Sequence, residues 1–259
     1  MSDLHWTTAI TSVQSNEVRL RGYRIDELMG RVTFGQAVYL ALKGELPSLQ
    51  VGRMMDAMLV SSIDHGATPP SALATRTAAS TGATLSASVA AGVLSINRYH
   101  GGAIEGCMRL LNDALDRLDG AQSPEEVAAG MVAELRAQKK RAPGFGHRIH
   151  SDDPRTKRLL TLADELEVSG DGVKMARAFE QALEESIGRR LPLNVDGALA
   201  ALLVDLDFPP ELGNAFFILS RVTGLTAHAH EEMTRERPMR RIHPTDHEYD
   251  GPEPGDLAS

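Results

Sequence analysis

The feature that most restricts what this chain can fold into is a repeated grammar of helix starts, each followed by apolar residues three and four apart. Thr33-x-x-Gln36 and Ser123-Pro124-Glu125-Glu126 both read as capping boxes, in which a hydroxyl and a longer side chain satisfy backbone N–H groups that a helix start leaves unpaired. Behind the first come Phe34, Val38, Ala41 and Leu42, with Gly44 and Pro47 as the stop. Behind the second come Val127, Met131, Val132 and Leu135, closed by Lys139-Lys140-Arg141. From Leu49 to Ile63 the positions Val51, Met54, Met55, Met58, Leu59 and Ile63 form one stripe, its methionines read as core filler. Ile104, Cys107, Met108, Leu111, Leu115 and Leu118 form another. No G-x-G-x-x-G, Walker loop or G-x-S-x-G occurs, so nucleotide-binding sheets and serine hydrolases have no foothold. The expectation is an all-α protein with one small β-prone hairpin, built from Thr7–Thr11 and Glu17–Ile25.

The rest of the chain keeps the pattern. Ser71 to Ile96, rich in alanine, serine, threonine and glycine, predicts one or two closely packed helices with Leu73, Leu85, Val89, Val93 and Ile96 on the apolar face. Asp153-Pro154 reads as an N-cap and first helical residue, with Leu159, Leu160, Ala163 and Leu166 behind it. Gly170 interrupts, Asp171 is positioned to cap again, and Val173 to Ile187 is helical. Ala198 to Leu206 is too apolar for a surface. Pro209-Pro210 opens a last helix with Leu212, Phe216, Leu219, Val222 and Leu225 inward, expected to end near Ala227-His228. From Pro244 the chain has five acids, no lysine or arginine and several prolines and glycines, and is expected to be a disordered tail.

Composition narrows the function classes. A net charge of −8 over 259 residues argues against a broad nucleic-acid surface. The single cysteine, Cys107, fits a reducing compartment and sits on an apolar stripe, so buried core is its plain reading. No basic-then-apolar leader opens the sequence, and the most apolar stretch, Ser86 to Ile96, is too short to span a bilayer. A cytoplasmic protein with no membrane partner is expected.

Chemistry concentrates at Ala142-Pro143-Gly144-Phe145-Gly146-His147-Arg148, running on to Asp153-Pro154-Arg155. Glycines let a backbone approach a ligand, an imidazole moves protons near neutral pH, and two guanidiniums suit carboxylate or phosphate. His100, in Tyr99-His100-Gly101-Gly102, stands near a helix N-terminus whose dipole favours a neutral ring. His65 stands at a helix end, in Asp64-His65-Gly66. Asp196 follows Pro192-Leu193-Asn194-Val195, and capping a buried helix is its simplest role. Arg221 lies on an otherwise apolar helix and calls for an anion. His228-x-His230-Glu231 has no further ligand set at a recognised spacing, and no metal is expected.

Taken in order, these segments resemble the citrate synthase family, including the citryl-CoA lyase domain of ATP citrate lyases. Arg21-Gly22-Tyr23-Arg24-Ile25-Asp26-Glu27-Leu28 and the run from Phe34 to Gly44-Glu45-Leu46-Pro47 look like its N-terminal signature. His100-Gly101-Gly102-Ala103, Pro143-Gly144-Phe145-Gly146-His147-Arg148, Asp153-Pro154-Arg155, Asn194-Val195-Asp196 and Glu236-Arg237-Pro238 look like its functional motifs in family order. The resemblance implies an all-α citrate synthase-like fold with a large and a small helical domain and an active site in the cleft between them. The corresponding division is 1–103 and 206–243 for the large domain, 104–205 for the small one, and 244–259 for the tail. It implies a catalytic trio of His100, His147 and Asp196. It implies substrate carboxylates bound by His65, Arg155, Arg221 and, across a homodimer interface, Arg237. The loop Ala142, Pro143, Gly144, Phe145, Gly146, together with Arg148, would hold CoA. No permanently bound cofactor is implied: acetyl-CoA is a co-substrate, with oxaloacetate or citrate as the other small molecule.

Several positions depart from the commonest family pattern. Asp64-His65 is followed by Gly66 rather than glutamate, as in the lyase branch, and the sequence lacks most of the N-terminal extension of typical citrate synthases. Yet His100 is present where the ATP citrate lyase domain tends to carry an aromatic. The stretch from His147 to Arg155 is slightly short, and Ser151 replaces a usual basic residue, leaving Lys139, Lys140, Arg141 or Arg148 for the CoA phosphates. The leading expectation is citrate synthase-type condensation of acetyl-CoA and oxaloacetate with thioester hydrolysis. Citryl-CoA cleavage is the close alternative, and another acyl-CoA or keto acid a third. A non-catalytic CoA- or partner-binding paralogue is the rival from a different class.

Overall fold

The structure, a computed structural model, describes residues 5–118, 120–146 and 153–241. His147, Arg148 and the acidic tail lie outside the described residues. Three short antiparallel strands, β1 (Thr11–Gln14), β2 (Glu17–Leu20) and β3 (Tyr23–Arg24), open the fold. The β-prone run Thr7–Thr11 thus supplies only its last residue to a strand: pairing in the register Thr11↔Leu20 to Gln14↔Glu17 moves β1 toward the turn. Helices follow as α1 (Ile25–Leu28), α2 (Phe34–Lys43), α3 (Leu49–Ser61), α4 (Pro70–Ser80), α5 (Leu85–Leu94) and α6 (Ala103–Asp116). After them come α7 (Pro124–Ala137), α8 (Pro154–Glu165), α9 (Asp171–Ile187), α10 (Val195–Asp205) and α11 (Gly213–Arg235).

Both capping boxes form. Thr33 accepts from Gln36 N–H while the Gln36 side chain accepts from Thr33 N–H, and Ser123 and Glu126 do the same. Gly44 closes α2 in the left-handed conformation. The cap of α9 comes from elsewhere: the Asp205 carboxylate accepts the N–H groups of Gly170, Gly172 and Val173 at 2.6–3.2 Å, and Asp171 is only the first helical residue. A distant carboxylate thus does the work expected of a neighbour, which no local spacing reveals.

The chain divides into two units. The first takes Met1–His65 and Ile96–Gly224. Its centre is α10, whose residues from Gly197 to Leu203 are all buried, the signature of a helix apolar on every side. It packs on α6 and α9, and α7 packs on α9. Met54, Met55, Met58, Cys107 and Met108 join this core.

The second unit takes Gly66–Ser95 and Leu225–Ser259. The segment 71–96 forms two helices, but its inner face differs from the expected one. Of the expected face, Leu85 is exposed and Leu73, Val89, Val93 and Ile96 are half-buried, while Ser71, Ala72, Thr75, Arg76, Ala79, Ser80, Ser88 and Gly92 are buried. Small residues win because α4 and α5 nearly touch: a Cβ on Gly92 would lie 2.0 Å from Thr75 Oγ1. The last helix also runs past Ala227-His228 to Arg235, after a short 3-10 turn at Pro210–Leu212.

Candidate active site

Two extended segments are zipped together beneath the site. Phe145 pairs with Leu193 in an antiparallel bridge. Gly146 N–H donates to the Pro192 carbonyl at 2.7 Å, and Asn194 N–H donates to the Gly144 carbonyl at 3.0 Å. The Asn194 side-chain amide donates to the Gly146 carbonyl at 2.8 Å. Gly144 and Gly146 have φ of 84° and 79°, where side chains are strained. A Cβ on Gly144 would lie 2.7 Å from Cys107 Sγ and 2.8 Å from Gly197 Cα. Phe145 is buried beside Phe179, and Ala142 is nearly buried.

The zipper ends at α10, and here Asp196 is released from its simplest role. Asn194 Oδ1 accepts from Gly197 N–H and caps the helix, so the Asp196 carboxylate is spent on no cap. Burial pushes the Asp196 carboxyl above its ordinary pKa, the charges of Arg155 and Arg221 pull it down, and Asp153 pushes it up again. Those influences place Asp153, Arg155, Asp196 and Arg221 in one electrostatic neighbourhood.

Arg155 is fixed by its own helix cap. Asp153 accepts Arg155 N–H, and its carboxylate also takes the Arg155 guanidinium through Nε at 3.0 Å and a terminal nitrogen at 2.7 Å. Arg221 is 2% exposed; its Nε donates to the Ser62 carbonyl at 3.0 Å and its guanidinium lies 4.4 Å from the Phe217 ring centre. Burial lowers its pKa while Asp64 and Asp196 support the charge.

His100 packs edge-on against the same Phe217 ring at 5.7 Å. Its backbone exchanges two hydrogen bonds with Asn97, at 2.8 and 2.9 Å, just ahead of the α6 N-terminus. Burial, then the charge of Arg221, then His65, lower its pKa and so favour the neutral ring. Arg221 links the set: its charge acts on His100, on Asp196 and on Arg155, and His65 acts in turn on His100. Arg237 belongs to the second unit, where it is exposed.

Four contributors went unread in the sequence: Asp64, Ser62, Phe217 and the bidentate role of Asp153. Phe217 and Arg221 are four apart on one helix, so their shared face was legible. The Ser62 carbonyl and the Asp64 charge are tertiary. His228, weighed as a metal ligand, has its Nδ1 at 2.9 Å from an Arg76 guanidinium nitrogen, a poor neighbour for a cation.

No helix among the described residues is long and apolar enough to cross a membrane. The family pattern described as citrate synthase, C-terminal domain, matches residues 49–244. The solved structure of citryl-CoA lyase from Hydrogenobacter thermophilus superposes with a TM-score of 0.89 at 44% identity, over 98% of this chain and 97% of that one. Citrate synthase from Thermoplasma acidophilum, solved with carboxymethyl coenzyme A and oxaloacetate, gives 0.69 at 25% identity over 88% of this chain and 59% of that one. The ATP-citrate synthase beta chain protein 1 of Oryza sativa is 31% identical over 210 residues, 74% of this chain. The chain spans 33% of the length of that relative.

Proposed function

This chain belongs to the citrate synthase family, and on that premise we propose that it breaks or makes the carbon–carbon bond joining acetyl-CoA to oxaloacetate in citryl-CoA, with cleavage as its working direction. The observation that carries the reading is Asp196: a buried carboxylate whose helix is capped by Asn194 instead, with its pKa raised by burial and its charge felt by Arg155 and by Arg221, which also acts on His100.

The chemistry uses each group once. In cleavage, the tertiary hydroxyl of citryl-CoA gives up its proton and the adjacent carbon–carbon bond breaks to leave the ketone of oxaloacetate. His147 takes that proton. The electron pair passes to the acetyl-CoA fragment as an enolate, whose oxygen accepts a hydrogen bond from neutral His100. Asp196, protonated at the start of this direction, delivers its proton to the enolate carbon. Condensation runs the same steps backward, with Asp196 as base. His65, Arg155 and Arg221 hold the carboxylates, and a homodimer supplies Arg237 from the partner subunit. Residues 142–146 and Arg148 cradle CoA as substrate. The site lies in a cleft between a large domain, 1–103 with 206–243, and a small one, 104–205, in a cytoplasmic enzyme.

Support for cleavage comes from the 44% identity to the Hydrogenobacter lyase along both chains and from Asp64-His65-Gly66. The second reading, condensation followed by hydrolysis of the thioester, is favoured by the neutral His100 and the otherwise complete trio. Purified protein given citryl-CoA separates them. Oxaloacetate and acetyl-CoA without free thiol mean cleavage; CoA with citrate means a synthase. Neither product set would count against both and turn attention to another acyl-CoA or to a binding-only role.

A further inference from the structure

In the second unit, the exposed Arg237 sits on a turn that is held from beneath by a buried charge cluster. Glu232, on the last turns of α11, is 2% exposed, and Arg76 on α4 is 7% exposed. Arg240 reaches back past Arg237 to grip Glu232 with both arms, Nε to Oε1 and a terminal nitrogen to Oε2, each at 2.6 Å. Arg76 donates to the same Oε2 at 2.9 Å and also bonds Glu231. The turn itself is closed by Arg240 N–H donating to the Arg237 carbonyl at 3.2 Å. Met239 N–H donates to the Ser80 carbonyl at the end of α4 at 2.8 Å. Met239 is held at φ 58°, a conformation that costs a residue with a side chain and persists where surrounding bonds over-determine it. Among the described residues the Arg237 side chain has no hydrogen bond or ion pair of its own.

The cluster therefore fixes the turn through Arg76, Glu231, Glu232 and Arg240, with Glu236 3.4 Å from Arg240, and among the described residues leaves the Arg237 guanidinium unspent. We propose that Glu232, bridged by Arg76 and Arg240, is a positioning residue that sets the shape of the 236–240 turn so that Arg237 is presented for a substrate carboxylate. This rests on the reading of Arg237 as a carboxylate ligand. Glu232 and Arg240 touch no substrate and act only through the turn. A buried carboxylate gripped by two guanidiniums resists displacement, because loosening either partner strands a charge away from water. An arginine aimed in advance loses less freedom on binding than one on a mobile turn.

The test is steady-state kinetics of the full chain with citryl-CoA, following loss of the thioester substrate, on Arg237→Ala, Arg240→Gln, Glu232→Gln and the double variant Arg237→Ala/Arg240→Gln. Arg240→Gln is expected to raise the citryl-CoA KM by about tenfold, the size of one misplaced charge-assisted contact, with kcat held. Glu232→Gln should do the same. Arg237→Ala should raise that KM further, and the double variant should match Arg237→Ala alone, since a clamp has nothing left to position. If Glu232→Gln does not fold, the partly exposed Arg240 carries the test. An unchanged KM in Arg240→Gln beside a raised one in Arg237→Ala overturns the clamp alone, as does a double variant in which the two effects multiply. An unchanged KM in Arg237→Ala removes the carboxylate role of Arg237 and the clamp's purpose with it.

Discussion

Asn194 holds Gly146 and Gly197 at once: its side-chain amide donates to the Gly146 carbonyl at 2.8 Å, and its side-chain oxygen accepts from Gly197 N–H at 3.1 Å. One side chain thus fastens the glycine loop to the start of the helix that bears Asp196. Asn194→Ala removes both bonds. Loss of the cap should cost about 1 kcal/mol in chemical denaturation, and turnover should fall by more than that loss explains. Asn194→Asp keeps an acceptor for Gly197 but has no donor for Gly146, so it should restore most of the stability and little of the rate. Equal recovery of both would show that the tether to the loop is irrelevant to activity.

The closeness of loop and helix predicts a steep response at Gly197. A Cβ there would stand 2.3 Å from the Gly144 carbonyl oxygen, inside any permissible contact. Gly197→Ala should destabilise by about 1–3 kcal/mol, as overpacking of a filled core does. Gly130→Ala on α7, where nothing lies within 4 Å, should be neutral or slightly stabilising. Urea melts of the two variants side by side check this.

Asp196→Asn should abolish exchange of the acetyl-CoA methyl protons while leaving CoA binding intact; persisting exchange would exclude it as the proton-transfer group. It also carries a signature in stability. The folded-state pKa of Asp196 lies above its ordinary 3.8, so between those two values the folded chain binds more protons than the unfolded one. Stability from this group is therefore full in acid and declines as pH rises through the raised pKa. The variant should melt higher than the parent near neutral pH, with the gain vanishing toward pH of about 4.

His100 has the opposite sign. Its folded-state pKa lies below 6.5, so the unfolded chain binds the extra proton, and its contribution is full above that value and is lost as pH falls toward the folded pKa. The midpoint of its NMR titration should lie below 6.5. Arg221→Gln removes the positive charge that disfavours a second cation at His100 and should move the His100 titration upward. No movement would mean that the charge is screened from the ring.

Asp153 joins a local role to a tertiary one. Asp153→Asn retains a capping oxygen for Arg155 N–H but gives up the bidentate ionic grip on the Arg155 guanidinium. Helix stability should change little, whereas the citryl-CoA KM should rise several-fold. A thermal melt and a kinetic titration on the same preparation separate the two.

What the sequence by itself determined is everything that depends on neighbours along the chain. The capping boxes at Thr33 and Ser123, the Asp153-Pro154 start, the left-handed stop at Gly44 and the apolar stripes through Met54, Met58, Cys107 and Met108 are local chemistry, and they formed as their spacing required. The family followed from motif order, because each motif is a short continuous string. What only the tertiary structure decided is which polar groups are used up by partners far away in the chain. Asp196 looked like a cap until Asn194 took that place. Asp171 looked like a cap until Asp205 arrived from another helix. Arg221 called for an anion and received, besides Asp64 and Asp196, a carbonyl from Ser62 and the face of Phe217. The inner face of α4 and α5 turned out small and polar because backbone proximity outweighed side-chain hydropathy at Gly92 and Thr75. Local structure is set by interactions over three or four residues, which spacing encodes. Charge state and bonding partner are set by distance and burial, which exist only once the chain has folded.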